Sequence, residues 1–308
     1  MTHASSVTSA SSTWRGSRLP TWTGPISFAR QALAIAAVAI LAAGVSGCNK
    51  LRARDLLNKG VAAYKNAQYD TAIEDFKQAK DLDPGLMNAR LYLATAYASQ
   101  YIPGAPSEQN VRLGTQAVNE FKEVLEIDSN NLSAIDGIGS ILFQMAGTPY
   151  DPKRFEESKS YHQKHIDLRP NDPEPYYWIG VIDWTLAYRA NNELRAAYNR
   201  DHINKQVKED DPLPPAVRAE YAAKYGTLVE EGVTDLQKSI QIKPDYDDAM
   251  AYLNLMYRQK ADIECGDPLL RVEDLKKADE FVEQAMGIKK RKAEEESKQT
   301  GIVMDQGK

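Results

Sequence analysis

His162 and His165 stand three residues apart with Asp167 close behind, and side chains at that spacing share one face of a helix, so the donor types of a metal site are present. The chain has four histidines in all, and neither of the others lies near enough in sequence to complete a ligand set. The pair is therefore read as packing, and no metal or other cofactor is expected. Two cysteines, Cys48 and Cys265, are too few for a disulfide scaffold or a thiolate zinc site. Gly137 and Gly139 look like a piece of a glycine-rich loop, but they fall inside a helical stretch, where small residues serve close packing. There is no H-E-x-x-H pair, no nucleophile motif and no Walker loop, so the chain is not read as an enzyme. Lys plus Arg is 38 against 43 for Asp plus Glu, a net charge of −5, and this lacks the basic surplus of a nucleic-acid binder.

The elements that must hold these residues begin after a distinct leader. The first 47 residues carry Arg15, Arg18 and Arg30 and no acidic residue, and an apolar run follows from Ala32 to Val45. Fourteen helical residues rise about 21 Å, short of the roughly 30 Å hydrocarbon core, so a lasting membrane span is not expected. Val45, Ser46, Gly47 and Cys48 resemble the bacterial lipobox. The resemblance implies a signal peptide over 1–47 that is removed on export, a lipidated Cys48, and residues 48–52 as a short tether on the periplasmic side of a bacterial membrane. Each buried methylene contributes about 0.8 kcal/mol, so two or three acyl chains anchor a protein durably. Asn49 follows the cysteine, in place of the Asp that commonly retains such lipoproteins at the inner membrane, which implies the outer membrane. With three arginines of the 38 basic residues gone, 35 face 43 acidic ones, a charge of about −8.

Beyond the leader the sequence repeats. Gly60, Tyr64, Tyr69, Ala72, Ile73, Phe76, Ala79, Leu82 and Pro84 set a pattern of small and bulky residues at helical spacing. The offsets 0, 4, 7 and 10 from Ala72 return at Ala117, Ser158, Gly232 and Ala278. The pattern resembles the tetratricopeptide repeat, a helical hairpin, and implies an all-α, right-handed solenoid of about five helix-turn-helix repeats. The solenoid is expected over 53–288, with repeats at about 53–86, 87–131, 132–172, 173–246 and 247–290 and a charged flexible tail over 291–308. In this frame His162 and His165 fill the positions of Phe76 and Ala79.

The spacings separate two edges. From each second helix to the next first helix the small residues lie 22 apart: Ala72 to Ala94, Ala117 to Gly139, Ser158 to Gly180, Gly232 to Asn254. Within repeats the distance is 12 from Gly60 to Ala72, then 23, 19, 52 and 24. All added length thus falls between the first and second helix of a hairpin, along one edge of the solenoid, and such decorated edges often bind. The largest insertion, in repeat four, is read as an elongated helical hairpin with a first helix of about 35 residues that projects as an arm; two short helices folded back on the solenoid are the alternative. Cys265 in the fifth insertion is a free or intermolecular thiol.

The resemblance implies protein–protein binding along the face of the first helices. Candidate contacts on it are Tyr64, Leu91, Phe143, Tyr177, Val181, Trp184 and Arg258. The expected role is a membrane-anchored, periplasm-facing scaffold whose partner is another envelope protein or a peptide segment of one. The alternative is an enzyme accessory or a small-ligand or metal-binding lipoprotein, with the repeat-four insertion as a lid around Trp184, Tyr188, His202 and the His162/His165 pair.

Overall fold

The computed structural model describes residues 47–300, and the chain divides into two units, Met1–Leu51 and Arg52–Lys308. The leader and its apolar run, and residues 301–308, lie outside the described residues. Those described are all-helical, with no strand among them. The helices are α1 (47–65), α2 (Tyr69–Leu82), α3 (Met87–Gln100), α4 (Glu108–Ile127), α5 (Leu132–Ala146), α6 (Pro152–Leu168), α7 (Pro173–Asp201), α8 (Pro215–Ile242), α9 (Asp247–Ile263) and α10 (Pro268–Thr300). They pair as five consecutive hairpins, as the repeats require.

Each connection between hairpins is four residues long: 83–86, 128–131, 169–172 and 243–246. The same two backbone bonds close each one. The first N–H of the connection donates to the carbonyl four residues back, Asp83 to Ala79 at 3.1 Å, Asp128 to Val124 at 2.9 Å, Arg169 to His165 at 2.8 Å and Lys243 to Ser239 at 2.9 Å. The fourth N–H returns to the first carbonyl, Leu86 to Asp83 at 2.9 Å and Asn131 to Asp128, Asp172 to Arg169 and Tyr246 to Lys243 at 3.1 Å. Proline holds the second position in three of them, yet Ser129 supports the same turn.

Within hairpins the small residues receive the bulky ones. A Cβ at Gly60, Gly139 or Gly180 would lie within 3 Å of the side chain of Phe76, His162 or Leu236, so a knob from each second helix seats directly on first-helix backbone. Successive second helices are also joined by ion pairs, Lys80 to Glu120 at 2.6 Å, Lys122 to Glu157 at 2.9 Å and Lys159 to Glu231 at 3.1 Å.

The insertions take three forms. The repeat-two loop is ordered by buried Asn110, whose side-chain oxygen accepts from the Ile102 N–H at 2.8 Å and whose amide donates to the Ile102 and Ala105 carbonyls at 2.8 and 2.9 Å. Repeat five absorbs its insertion as added helical turns and keeps a four-residue loop closed by the same two bonds, Glu264 to Lys260 and Asp267 to Glu264, both 2.9 Å. Repeat four lengthens both helices, α7 to 29 residues and α8 to 28, around a loop at 202–214.

The long hairpin does not stand free as a projecting arm, and α7 falls short of 35 residues. Its added turns are braced on repeat five by a buried polar network centred on Arg195. The guanidinium donates to Asn191 Oδ1 and Asp262 Oδ2, each at 2.8 Å, and to the Lys208 and Asp211 carbonyls at 2.7 and 2.9 Å. Asn191 in turn donates to Gln259 Oε1 at 2.9 Å and Asp262 Oδ2 at 2.8 Å, and the Tyr221 hydroxyl donates to Gln259 Oε1 at 2.9 Å. One side chain thereby ties α7, α9 and the 202–214 loop. Ala190, Leu213, Val217 and Tyr221 form an apolar cluster against which Ile263 and Cys265 pack.

Two further expectations are corrected. Residues 48–52, read as a tether, are helical. Residues 291–300, read as flexible tail, continue α10, because Lys292 Nζ ties the helix to Asp247 Oδ1 at 2.6 Å and the Asp245 carbonyl at 2.7 Å.

Replacing Arg195 with Met leaves Asp262 buried without its cation, and removing one partner of such a pair costs about 3 to 5 kcal/mol. Hydrogen exchange is expected to open residues 187–217 and 259–263 in this variant while repeats one to three keep their protection.

Candidate functional site

Two cavities lie against the first helices. The larger, about 540 Å³, runs between α3 and α5. Leu91, Tyr92, Thr95 and Ser99 of α3 form one wall, Gly137, Ser140, Ile141 and Gln144 of α5 the other, and Phe121 of α4 closes the floor. No charged side chain lines it. Its hydroxyls are engaged locally: Thr95 donates to the Leu91 carbonyl at 2.8 Å, Ser99 to the Thr95 carbonyl at 2.9 Å, and the Gln144 amide to Ser140 Oγ at 3.2 Å. Gly137 is required here, since a Cβ would meet the Phe121 ring.

The smaller cavity, about 440 Å³, lies between the repeat-four insertion and repeat five. Trp184 and Tyr188 of α7 stack at 5.1 Å between centroids with 17° between planes and form its aromatic wall. Leu255 and Arg258 of α9, Arg271 and Leu275 of α10, and Glu209 and Asp210 of the 202–214 loop complete it. Its base is the Arg195 network, whose Asp262 carboxyl is pushed up by burial against the opposing pull of Arg195. The two cavities thus differ in kind, one neutral and shallowly polar, the other aromatic and charged.

The expected contact residues divide between these cavities and the aromatic packing. Leu91 lines the neutral groove, and the Tyr64 hydroxyl reaches its edge, 2.7 Å from Ser99 Oγ. Trp184 and Arg258 line the charged cavity. Phe143 packs edge-on against Phe155 and Trp178, and Tyr177 against Trp178, Tyr246 and Tyr252, so both hold neighbouring repeats together. Val181, expected on the contact face, is only 2% exposed, because α7 is packed by α6, α8 and α9. The lid arrangement does not assemble: Trp184 and Tyr188 share a cavity, but His202 stacks on Tyr198 at 3.9 Å outside it, and the other two histidines belong to repeat three. Asn191, Arg195 and Arg271 went unseen in sequence. The i, i+4 spacing of Asn191 and Arg195 is their one local signal.

The histidine pair is buried, as packing residues are. His162 seats on Gly139 and faces Trp178, with ring centroids 6.1 Å apart and planes 11° from parallel. Neither ring nitrogen of His162 has a hydrogen-bond partner, and burial with the nearby His165 pushes its pKa down to about 4. His165 Nδ1 lies 2.6 Å from Asp136 Oδ1. Among the described residues no group of three or more His, Cys, Asp or Glu side chains is placed to hold a metal ion.

Residues 56–86 match the family model for the tetratricopeptide repeat. The next three hairpins repeat its closing turn. The fold is a tetratricopeptide solenoid. Among solved structures, a crystal structure of MamA protein aligns at 16% identity and a TM-score of 0.51, covering 79% of this chain and 94% of that one. MamA 41-end from Desulfovibrio magneticus RS-1 aligns at 14% identity and a TM-score of 0.50, covering 78% and 96%. At such identities the likeness establishes the fold alone. Comparison with curated proteins found no match.

His162 offers a clean test of the buried pair. Its unfolded pKa near 6.5 exceeds the folded value of about 4, so stability is lost as pH falls from about 6.5 to about 4, by about 3 kcal/mol. Leu236 fills the same position beside Gly180, so His162→Leu should fold and lose that part of the acid sensitivity. Denaturant unfolding of both proteins at pH 7 and 4.5 measures the difference.

Proposed function

We infer that the chain is a lipid-anchored protein-interaction scaffold, not an enzyme, and that the groove between α3 and α5 receives an uncharged segment of its partner. The observation that carries this is the absence of any charged side chain from the groove lining. A charged ligand segment would lose its hydration there without a counter-charge, whereas an apolar or small polar one loses little. Leu91, Tyr92 and Ile141 offer apolar surface, and the hydroxyls around them offer spare lone pairs to a backbone N–H. Tetratricopeptide folds are suited to such protein–protein contacts.

The anchor in this reading is Cys48, which is exposed. Acylation at the lipobox-like cysteine is the means of attachment proposed here. The location proposed is the periplasmic side of a bacterial membrane, with the outer membrane favoured by Asn49, and the partner an envelope protein.

Two measurements check the reading. A photo-crosslinker at Ser140 should trap one reproducible envelope protein that the same group at exposed Glu156 does not, and adding Leu91→Asp should reduce the yield about tenfold or more. Equal trapping at both positions overturns the groove assignment. Cys48→Ser should move the protein from the membrane fraction to the soluble one; its retention there would sink the anchor.

A further inference from the structure

The cavity between the repeat-four insertion and repeat five is a second site, walled in part by the loop and helical turns that the insertion adds. Its donors and acceptors are unevenly used. Arg195 has its donors on Asn191, Asp262 and two loop carbonyls. Arg258 is shared between Asn254 Oδ1 at 3.1 Å and Asp279 Oδ1 at 2.8 Å. Arg271 differs. One terminal nitrogen donates to the Asp210 carbonyl at 2.8 Å, its Nε is buried without an acceptor, and it has no ion-pair partner among the described residues. Trp184 Nε1, on α7, is a second buried donor without an acceptor.

A buried donor left unmade costs about 1 to 3 kcal/mol. Two of them on residues that line one cavity, one on a guanidinium that makes no ion pair and acts on the Asp262 carboxylate only through space, point to a ligand that brings anionic oxygen. The remaining walls limit which anion. Glu209 accepts from the Tyr188 hydroxyl at 3.2 Å, Asp210 adjoins it and Asp262 lies in the base, so three carboxylates stand against three arginines and a phosphate dianion would be poorly balanced. A monocarboxylate adds only one negative charge to that balance. Trp184, Tyr188, Leu255 and Leu275 provide flat and aliphatic surface for an apolar body attached to it. A volume of about 440 Å³ falls at the small end of the range for small-molecule sites.

We propose that this cavity binds a carboxylate carried on an apolar, preferably planar, group, with Arg271 as its principal charge partner. Two sources share that chemistry, a free small acid and the C-terminus of a peptide ending in an aromatic residue. The site is separate from the α3–α5 groove, so it stands whether or not that groove binds a partner.

Calorimetric titration of the full chain tests it, with indole-3-acetate against indole-3-acetamide, and with the peptide Ala-Ala-Ala-Phe bearing a free or an amidated C-terminus. The acid of at least one pair should bind about tenfold or more tightly than its amide, as a charge-assisted contact requires. Arg271→Gln should abolish that preference, and Tyr188→Ala should weaken acid and amide alike. Ser140→Arg, which fills the other groove, should change neither. Thermal unfolding confirms that each variant is folded, and Arg258→Gln takes the place of Arg271→Gln if the latter is not. Binding of both acids assigns the site to small carboxylates in general, and binding of the peptide alone assigns it to a protein C-terminus. No binding by either acid, equal affinity for acid and amide, or a preference that survives Arg271→Gln overturns the proposal.

Discussion

The four-residue connection between hairpins is the constraint on which the rest of the molecule depends. Its two backbone bonds recur four times, at donor–acceptor distances between 2.8 and 3.1 Å, with or without proline. A connection so short fixes the angle and offset at which one hairpin meets the next, and one added residue there would displace contacts between hairpins such as Phe121 on Gly137. The seats are unforgiving, since Gly60, Gly139 and Gly180 have no room for a Cβ. Length can therefore be added only at the opposite ends of the helices, where α7 and α8 grow without disturbing the register of the stack.

Growth at that edge exposes new helix surface, which has to be covered or solvated. Repeat four meets this with a polar brace instead of an apolar seam. Buried charge is costly to desolvate, and such a network is favourable only when nearly every donor and acceptor is used. Arg195 satisfies that condition by drawing on two helices and two carbonyls of the 202–214 loop. Directional bonds of this kind set where the long hairpin rests on repeat five, so the brace positions the walls of the charged cavity as well as stabilising the hairpin. The neutral groove needs no such device, because its walls are ordinary first helices held by the regular stack.

The architecture was legible in sequence to the degree that it follows from short-range spacing. Five hairpins, their order and the edge that carries the insertions came from the offsets of residues such as Ala72, Phe76 and Gly139. The histidine pair was readable in the same way, since His162 occupies a knob position whatever its chemistry. Residues whose role depends on a distant partner were not. Arg195 and Asp262 are 67 positions apart, and Arg271 meets Asp210 across 61. Val181 looked like a surface residue from its place in the repeat and is buried by helices on three sides.

By itself, then, the sequence determined the repeat, its register and the four-residue turns, because these are local consequences of helix geometry and of glycine's missing side chain. It also determined that Cys48 sits in a lipobox-like context, which is a matter of neighbouring residues alone. Only the tertiary structure decided that the elongated hairpin is braced on repeat five, that the α3–α5 groove carries no charge, and that Trp184 and Arg271 face one cavity. Each of those is a relation between side chains far apart in the chain, and only the packing of whole helices sets their distance.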